Sequence, residues 1–256
     1  MTKKASIKIA KVQEPTKEIL NYYLYVVDRS GSMGGVREVT LSGLNEQIQK
    51  IQDLAAKNPD QKYYGTIILF NDEVNISVRN TSAEKLNELK LEDYVPRGMT
   101  ALFDAVHEGI EAMREDAGGD LKDDSLNTTV SVVILTDGLE NSSNKNNVFN
   151  VPHTIKELES TNKWVFSYVG ANHDVKIAAE SMNIKGSNAI AYSGSNVGTS
   201  EAFARMSRGT ERYAMRKMAC VDTSMSYFDA TDENRALGID IEEDVDIKEN
   251  TKKDED

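Results

Sequence analysis

Four short stretches constrain this chain more than anything else in it: "YYLYVVD" at 22–28, "YYGTIILF" at 63–70, "VSVVILTD" at 130–137 and "KWVFSYVG" at 163–170. Each is a nearly continuous apolar run rich in β-branched and aromatic residues, which suits strands buried on both faces of a parallel sheet. Helical patterns lie between them. Leu44, Ile48, Ile51 and Leu54 share one face across 36–56, and Leu102, Val106, Ile110 and Met113 do so across 100–115. "NDEVNISV" follows the second run after a short turn and reads as its hairpin partner, an antiparallel edge strand. Further on, "HDVKIAAESMNI" reads as a helix, "NAIAYS" as a short strand, and "GTSEAFARMSRGTERYAMRKMA" as a last helix with Thr199 or Ser200 as its N-cap. Together they predict an α/β fold: a doubly wound, mostly parallel, Rossmann-like sheet with one antiparallel edge strand and helices on both faces. Within 256 residues this gives an N-terminal extension (1–20), one domain (21–220) and an acidic tail (221–256) expected to be disordered.

Composition narrows the function. No run of about 18 apolar residues occurs, and the basic start has no apolar core or small-residue cleavage site, so neither a membrane span nor export is expected. Cys220 is the only cysteine, which excludes an intrachain disulfide or thiolate cluster and favours the cytoplasm. A net charge of -12 argues against nucleic acid as a partner, because that binding draws on neutralised phosphates.

In doubly wound sheets ligands bind beyond the carboxyl ends of the strands, where the strand order reverses. The first and fourth major strand candidates end in "DRSGSMGG" and "TDGLENSS". Asp28, Ser30 and Ser32 alternate, so one segment can aim an anion and two hydroxyls at a common point. Thr100 in "PRGMTALFDA" and Asp137 in "LTDG" add two more oxygens. An oxygen-only set suits a hard divalent cation, and magnesium needs only one or two carboxylates from the protein. Singly, each residue has a plainer explanation: Asx and Ser turns around Gly31, an N-cap at Thr100, a strand-ending turn at Asp137–Gly138. Their joint occurrence, in order and at the expected strand ends, favours a metal site.

D-x-S-x-S after an apolar strand, then G-x-T opening a helix, then T-D-G after another apolar strand resembles the von Willebrand factor type A domain family across residues 21–213. The five positions of that family's metal-ion-dependent adhesion site fall on Asp28, Ser30, Ser32, Thr100 and Asp137. The resemblance implies Mg²⁺ or Mn²⁺, with Ca²⁺ as a possible substitute. Ser30 and Ser32 would bind the ion directly, Asp28 and Asp137 largely through waters, and Thr100 in either way. It also implies an open coordination position for an Asp or Glu of another protein, and hence an adaptor rather than an enzyme. The segment from "WVFSYVGANHDV" to "RGTERY" is similar to stand-alone bacterial and phage members. A helix N-terminus beside Thr100 carries positive partial charge and would oppose a cation unless an anion were also present.

Other chemistries fit less well. The glycines lack the lysine of a P-loop and the spacing of a dinucleotide fingerprint. A haloacid-dehalogenase-type phosphatase resembles D-x-D after its first strand, where this chain has Ser30, a poor proton donor at neutral pH. A metal-dependent hydrolase or phosphotransferase, and an assembly component with a vestigial site, stand as the alternatives. His107, His153 and His173 show no ligand spacing; Cys220 and Trp164 read as packing, and Asp104 as local hydrogen bonding. "DATDEN" lacks the glycine of a calcium loop.

Overall fold

The computed structural model describes residues 18–123, 127–171, 175–218 and 227–228. Among these residues six strands form one sheet in the order β3-β2-β1-β4-β5-β6. They are β1 (Ile19–Asp28), β2 (Gln61–Phe70), β3 (Val74–Ser82), β4 (Asn127–Thr136), β5 (Trp164–Ala171) and β6 (Ala189–Tyr192). All neighbours run parallel except β2 and β3, which form the expected antiparallel hairpin. The hairpin turn is an Asx turn in which Asn71 Oδ1 accepts from the Glu73 N–H at 2.9 Å.

Among the described residues five helices cover the sheet: α1 (Arg37–Lys57), α2 (Leu102–Lys122), α3 (Lys145–Ser160), α4 (Val175–Ser181) and α5 (Asn196–Met218). Alternate residues of β1 feed opposite cores. Tyr23, Tyr25 and Val27 pack with α1 and α5, whereas Leu20, Tyr22, Leu24 and Val26 pack with α2, α3 and α4. Both faces are therefore apolar, which is why the central strands lack alternation in sequence.

Several helix boundaries differ from the sequence reading. α1 is preceded by a 3₁₀ turn over Gly31–Val36, and α2 starts at Leu102 and runs on through Gly118 and Gly119 to Lys122. α3, with Asn144 as its cap and Pro152 inside, has no counterpart among the helices read from the sequence. α5 begins earlier than Thr199 or Ser200: the Ser195 hydroxyl accepts from the Gly198 N–H at 3.2 Å, three residues on, as an N-cap does.

Within the stretch read as a tail, Tyr227 and Phe228 lie against the core. Tyr227 is buried beside Gly209, where a Cβ would come within 2.6 Å of its ring. Its hydroxyl is 2.6 Å from Thr210 Oγ1, and its N–H donates to Asn188 Oδ1 at 2.6 Å. Packing thus reaches beyond residue 220; the rest of the tail, residues 1–17, His173 and Cys220 lie outside the described residues. No helix among the described residues is long and apolar enough to cross a membrane.

Candidate functional site: three loops at the switch point

The strand order reverses between β1 and β4, and the candidate oxygens gather at their carboxyl ends. Asp28 closes β1 and is fully buried. Its Oδ1 accepts from the Ser30 N–H at 2.6 Å, so the Asx turn weighed as the plainer reading of Asp28 is present. Its Oδ2 accepts from the Thr136 hydroxyl of β4 at 2.6 Å, which fastens the first loop to the neighbouring strand. Ser30 Oγ and Ser32 Oγ are 3.1 Å apart, and Ser32 Oγ donates to Asp137 Oδ1 at 2.6 Å. Thr100 comes from the third loop. A Cβ on Gly138 would lie 3.5 Å from Thr100 Oγ1 and 4.0 Å from Ser32 Oγ, so the three loops meet around one point and Gly138 leaves it open.

Thr100 is not the cap of α2. The N-cap position is Ala101, and the first N–H groups of the helix are met from the β4–α3 loop. Glu140 Oε2 accepts from the Phe103 N–H at 3.2 Å and the Ser143 hydroxyl accepts from the Asp104 N–H at 3.1 Å. Glu140 also accepts from the N–H groups of Ser142 and Ser143 and from the Ser143 hydroxyl. An acidic side chain thus sits at the positive end of α2, beside the point where a cation would otherwise be opposed. Asp104 plays the local role expected, accepting from the Asn144 N–H and the Asn147 side chain.

Other residues brace the loops. Buried Tyr94 donates to the Asp28 carbonyl at 2.6 Å, and Arg37 donates to the carbonyls of Tyr94 and Leu91. Asn71 joins the hairpin turn to the third loop, through its side chain to Arg97 O at 2.9 Å and its own carbonyl to the Ala101 N–H at 2.7 Å. Gly98 has φ +73°, a left-handed backbone that favours glycine, and a Cβ there would push aside the exposed Asp72 carboxylate. Thr100 and Asn141 bond both ways: Thr100 N–H to Asn141 Oδ1 at 2.9 Å, and Asn141 N–H to Thr100 O at 3.1 Å.

Burial pushes the Asp28 carboxyl up to about 6, against the hydrogen bonds from Thr136 and Ser30 that favour its ionised form; nearby Asp137 pushes it further up. Burial, then the Asp28 charge, holds the Tyr94 hydroxyl well above its ordinary range, so it remains a donor.

Among the described residues no three His, Cys, Asp or Glu side chains converge as a metal cluster. The set here is of another kind, two carboxylates with three hydroxyls. Adjacent ligands of an octahedral ion with bonds of about 2.1 Å sit about 3 Å apart, and the Ser30–Ser32 separation of 3.1 Å has that length. The donor chemistry fits a hard dication. His107 is half-buried on α2, exposed His153 lies against the Phe149 ring, and Trp164 is buried against Phe166.

No protein-family model and no curated protein matches the sequence. Solved structures do. The von Willebrand factor type A protein from Catenulispora acidiphila aligns with a TM-score of 0.51 at 11% identity, over 74% of this chain and 42% of that one. The fold is that of a von Willebrand factor type A domain. The D319A mutant of the PilB minor pilin from Streptococcus sanguinis aligns with a TM-score of 0.53 at 12% identity, over 82% of this chain and 64% of that one. This chain therefore spans less than two thirds of either neighbour's length.

Proposed function

We propose that this protein is a cytoplasmic adaptor that binds another protein through a Mg²⁺ or Mn²⁺ ion held by Asp28, Ser30, Ser32, Thr100 and Asp137. The observation that carries this reading is the bonded run of oxygens from Thr136 through Asp28 and Ser30 to Ser32 and Asp137, with Thr100 facing it across Gly138. Bound there, the dication would supply an electrophilic position for an incoming Asp or Glu side chain.

The protein's own groups set the terms. Ser30 and Ser32 present neutral oxygens, so the ion's charge is only partly quenched, and a carboxylate from outside gains a charge-assisted bond. Asp28 is committed to Ser30 and Thr136, which fixes the loop rather than leaving it to be ordered on binding. Asp137 is half-buried at the mouth and accepts from Ser32, orienting that hydroxyl.

Calorimetry with MgCl₂ or MnCl₂ should give binding heat for the full chain and none for Ser30→Ala/Ser32→Ala. Partner recovery should then fall with chelator. Phosphatase or nucleotide-hydrolysis turnover abolished by Asp28→Ala would overturn the adaptor reading in favour of an enzyme.

A further inference from the structure

Arg29, between Asp28 and Ser30 in the first loop, is buried and unmatched. It is 9% exposed, and its Nε is sealed from solvent with no hydrogen-bond partner. No ion pair among the described residues includes it. Nearby arginines are placed differently: Arg37 donates to the carbonyls of Tyr94 and Leu91, and Arg97 lies 3.6 Å from Glu73.

The loop cannot carry Arg29 to a partner. Its N–H donates to the Phe70 carbonyl at 2.6 Å and its carbonyl accepts from the Arg97 N–H at 2.9 Å, so the side chain starts between the end of β2 and the 94–101 segment. The adjacent carboxylate does not serve it either. Asp28 gives its two oxygens to the Ser30 N–H and the Thr136 hydroxyl.

An arginine carries a permanent charge and five N–H donors, and a buried charge left without a partner is strongly destabilising. Buried polar groups of folded proteins are bonded, so an exception points to a water or an ion. A water would meet Nε and leave the charge in place; an anion meets both. One guanidinium balances one negative charge, and Asp28 and Asp137 at the same end of the sheet oppose a dianion such as phosphate. Nε and a terminal nitrogen form one edge of the guanidinium fork, whose spacing matches the two oxygens of a carboxylate.

We propose that Arg29 is a carboxylate-binding group that takes a monoanion at the Nε edge of its guanidinium. This goes beyond the metal reading and needs no dication.

The test is an NMR titration of the full chain in metal-depleted buffer without chelator, itself a polycarboxylate. The probe is sodium acetate, compared with sodium chloride at equal ionic strength, and the signal is the Arg29 Nε–H resonance, assigned by its absence in Arg29→Lys. Acetate should shift that resonance saturably and raise the thermal-unfolding midpoint; chloride should do neither. Arg29→Lys keeps the charge without the fork and should bind acetate about tenfold more weakly. Arg29→Met should melt higher than the natural chain in acetate-free buffer and gain nothing from acetate. A resonance that acetate leaves in place, or that chloride moves as far, overturns the inference. So does a lower midpoint for Arg29→Met in acetate-free buffer, which would mean that the natural charge is already met. Ser30→Ala/Ser32→Ala should lose the magnesium heat and keep the acetate shift, which separates failure of the metal reading from failure of this one. Loss of the shift in that variant would assign the carboxylate to the serine loop and overturn the role of Arg29. A capped peptide with one Asp identifies the source: a shift at lower concentration than acetate needs assigns the carboxylate to a protein partner, and a shift with acetate alone assigns it to a free acid.

Discussion

Two of the polar side-chain clusters set into this fold are organised in opposite ways. At the switch point, hydroxyls of Ser30, Ser32 and Thr136 are arranged around the carboxylates of Asp28 and Asp137, with Ser32 exposed and Asp137 half-buried. Under α5, the Tyr227 hydroxyl meets Thr210, and the ring packs against Tyr213, with every member buried. Burial pushes the Tyr227 hydroxyl up to about 12, so this second cluster has no charge to lose at neutral pH. The same functional group serves two ends. Around an anion and open on one side, it makes a site; paired with another hydroxyl and sealed by aromatic rings, it makes a fastening.

The two should therefore fail differently. Tyr227→Ala empties a filled space beside Gly209 and should lower unfolding free energy by about 3–5 kcal/mol in denaturant titration, with magnesium affinity within twofold of the natural protein. A comparable loss of both would mean that the clusters are coupled through α5. Asp28 offers the converse. Unfolded, it titrates near 4; folded and metal-free, near 6. Between those values the folded state holds more protons, so its stability falls as pH rises through the window. The full penalty, on the order of 3 kcal/mol, stands above pH 6. Asp28→Asn should flatten that dependence in chelator, read as the difference in stability between pH 4 and 7.

Thr136→Val removes the hydroxyl that holds Asp28 Oδ2 and should weaken magnesium binding by about 10–100-fold in calorimetry while the fold persists. A change below twofold would make that bond structural only. The smallest effect belongs to Glu140→Gln, which removes the charge at the α2 N-terminus and turns one acceptor oxygen into an amide NH₂ facing donors; it should cost about 1–2 kcal/mol in thermal unfolding.

The strands were legible because burial on both faces leaves a mark every residue can show: nothing polar interrupts Leu24 to Val27 or Val132 to Leu135. The hairpin was legible from its turn residues. The helix starts were less so, since Pro152 inside α3 reads as a break and the cap of α5 is Ser195, ahead of the stronger-looking Thr199. At the site, the five candidate residues share a motif and are brought to one place. Thr136, Asn141, Glu140, Tyr94 and Asn71 are missing from the sequence reading for one physical reason: each acts on a partner far along the chain, 108 residues away for Thr136 and 66 for Tyr94. The polar cluster "TDGLENSSN" carried a signal for Glu140 and Asn141, but not which helix they serve.

Gly98 and Asp72 have a practical corollary for anyone wishing to re-engineer the loops at the switch point. Because the 94–101 segment passes through a left-handed backbone at Gly98 and is bonded to the hairpin tip through Asn71, it is not an interchangeable cassette. A transplant of that segment into another scaffold would need Asn71 and Asp72 to travel with it, and a library built on it should hold position 98 fixed.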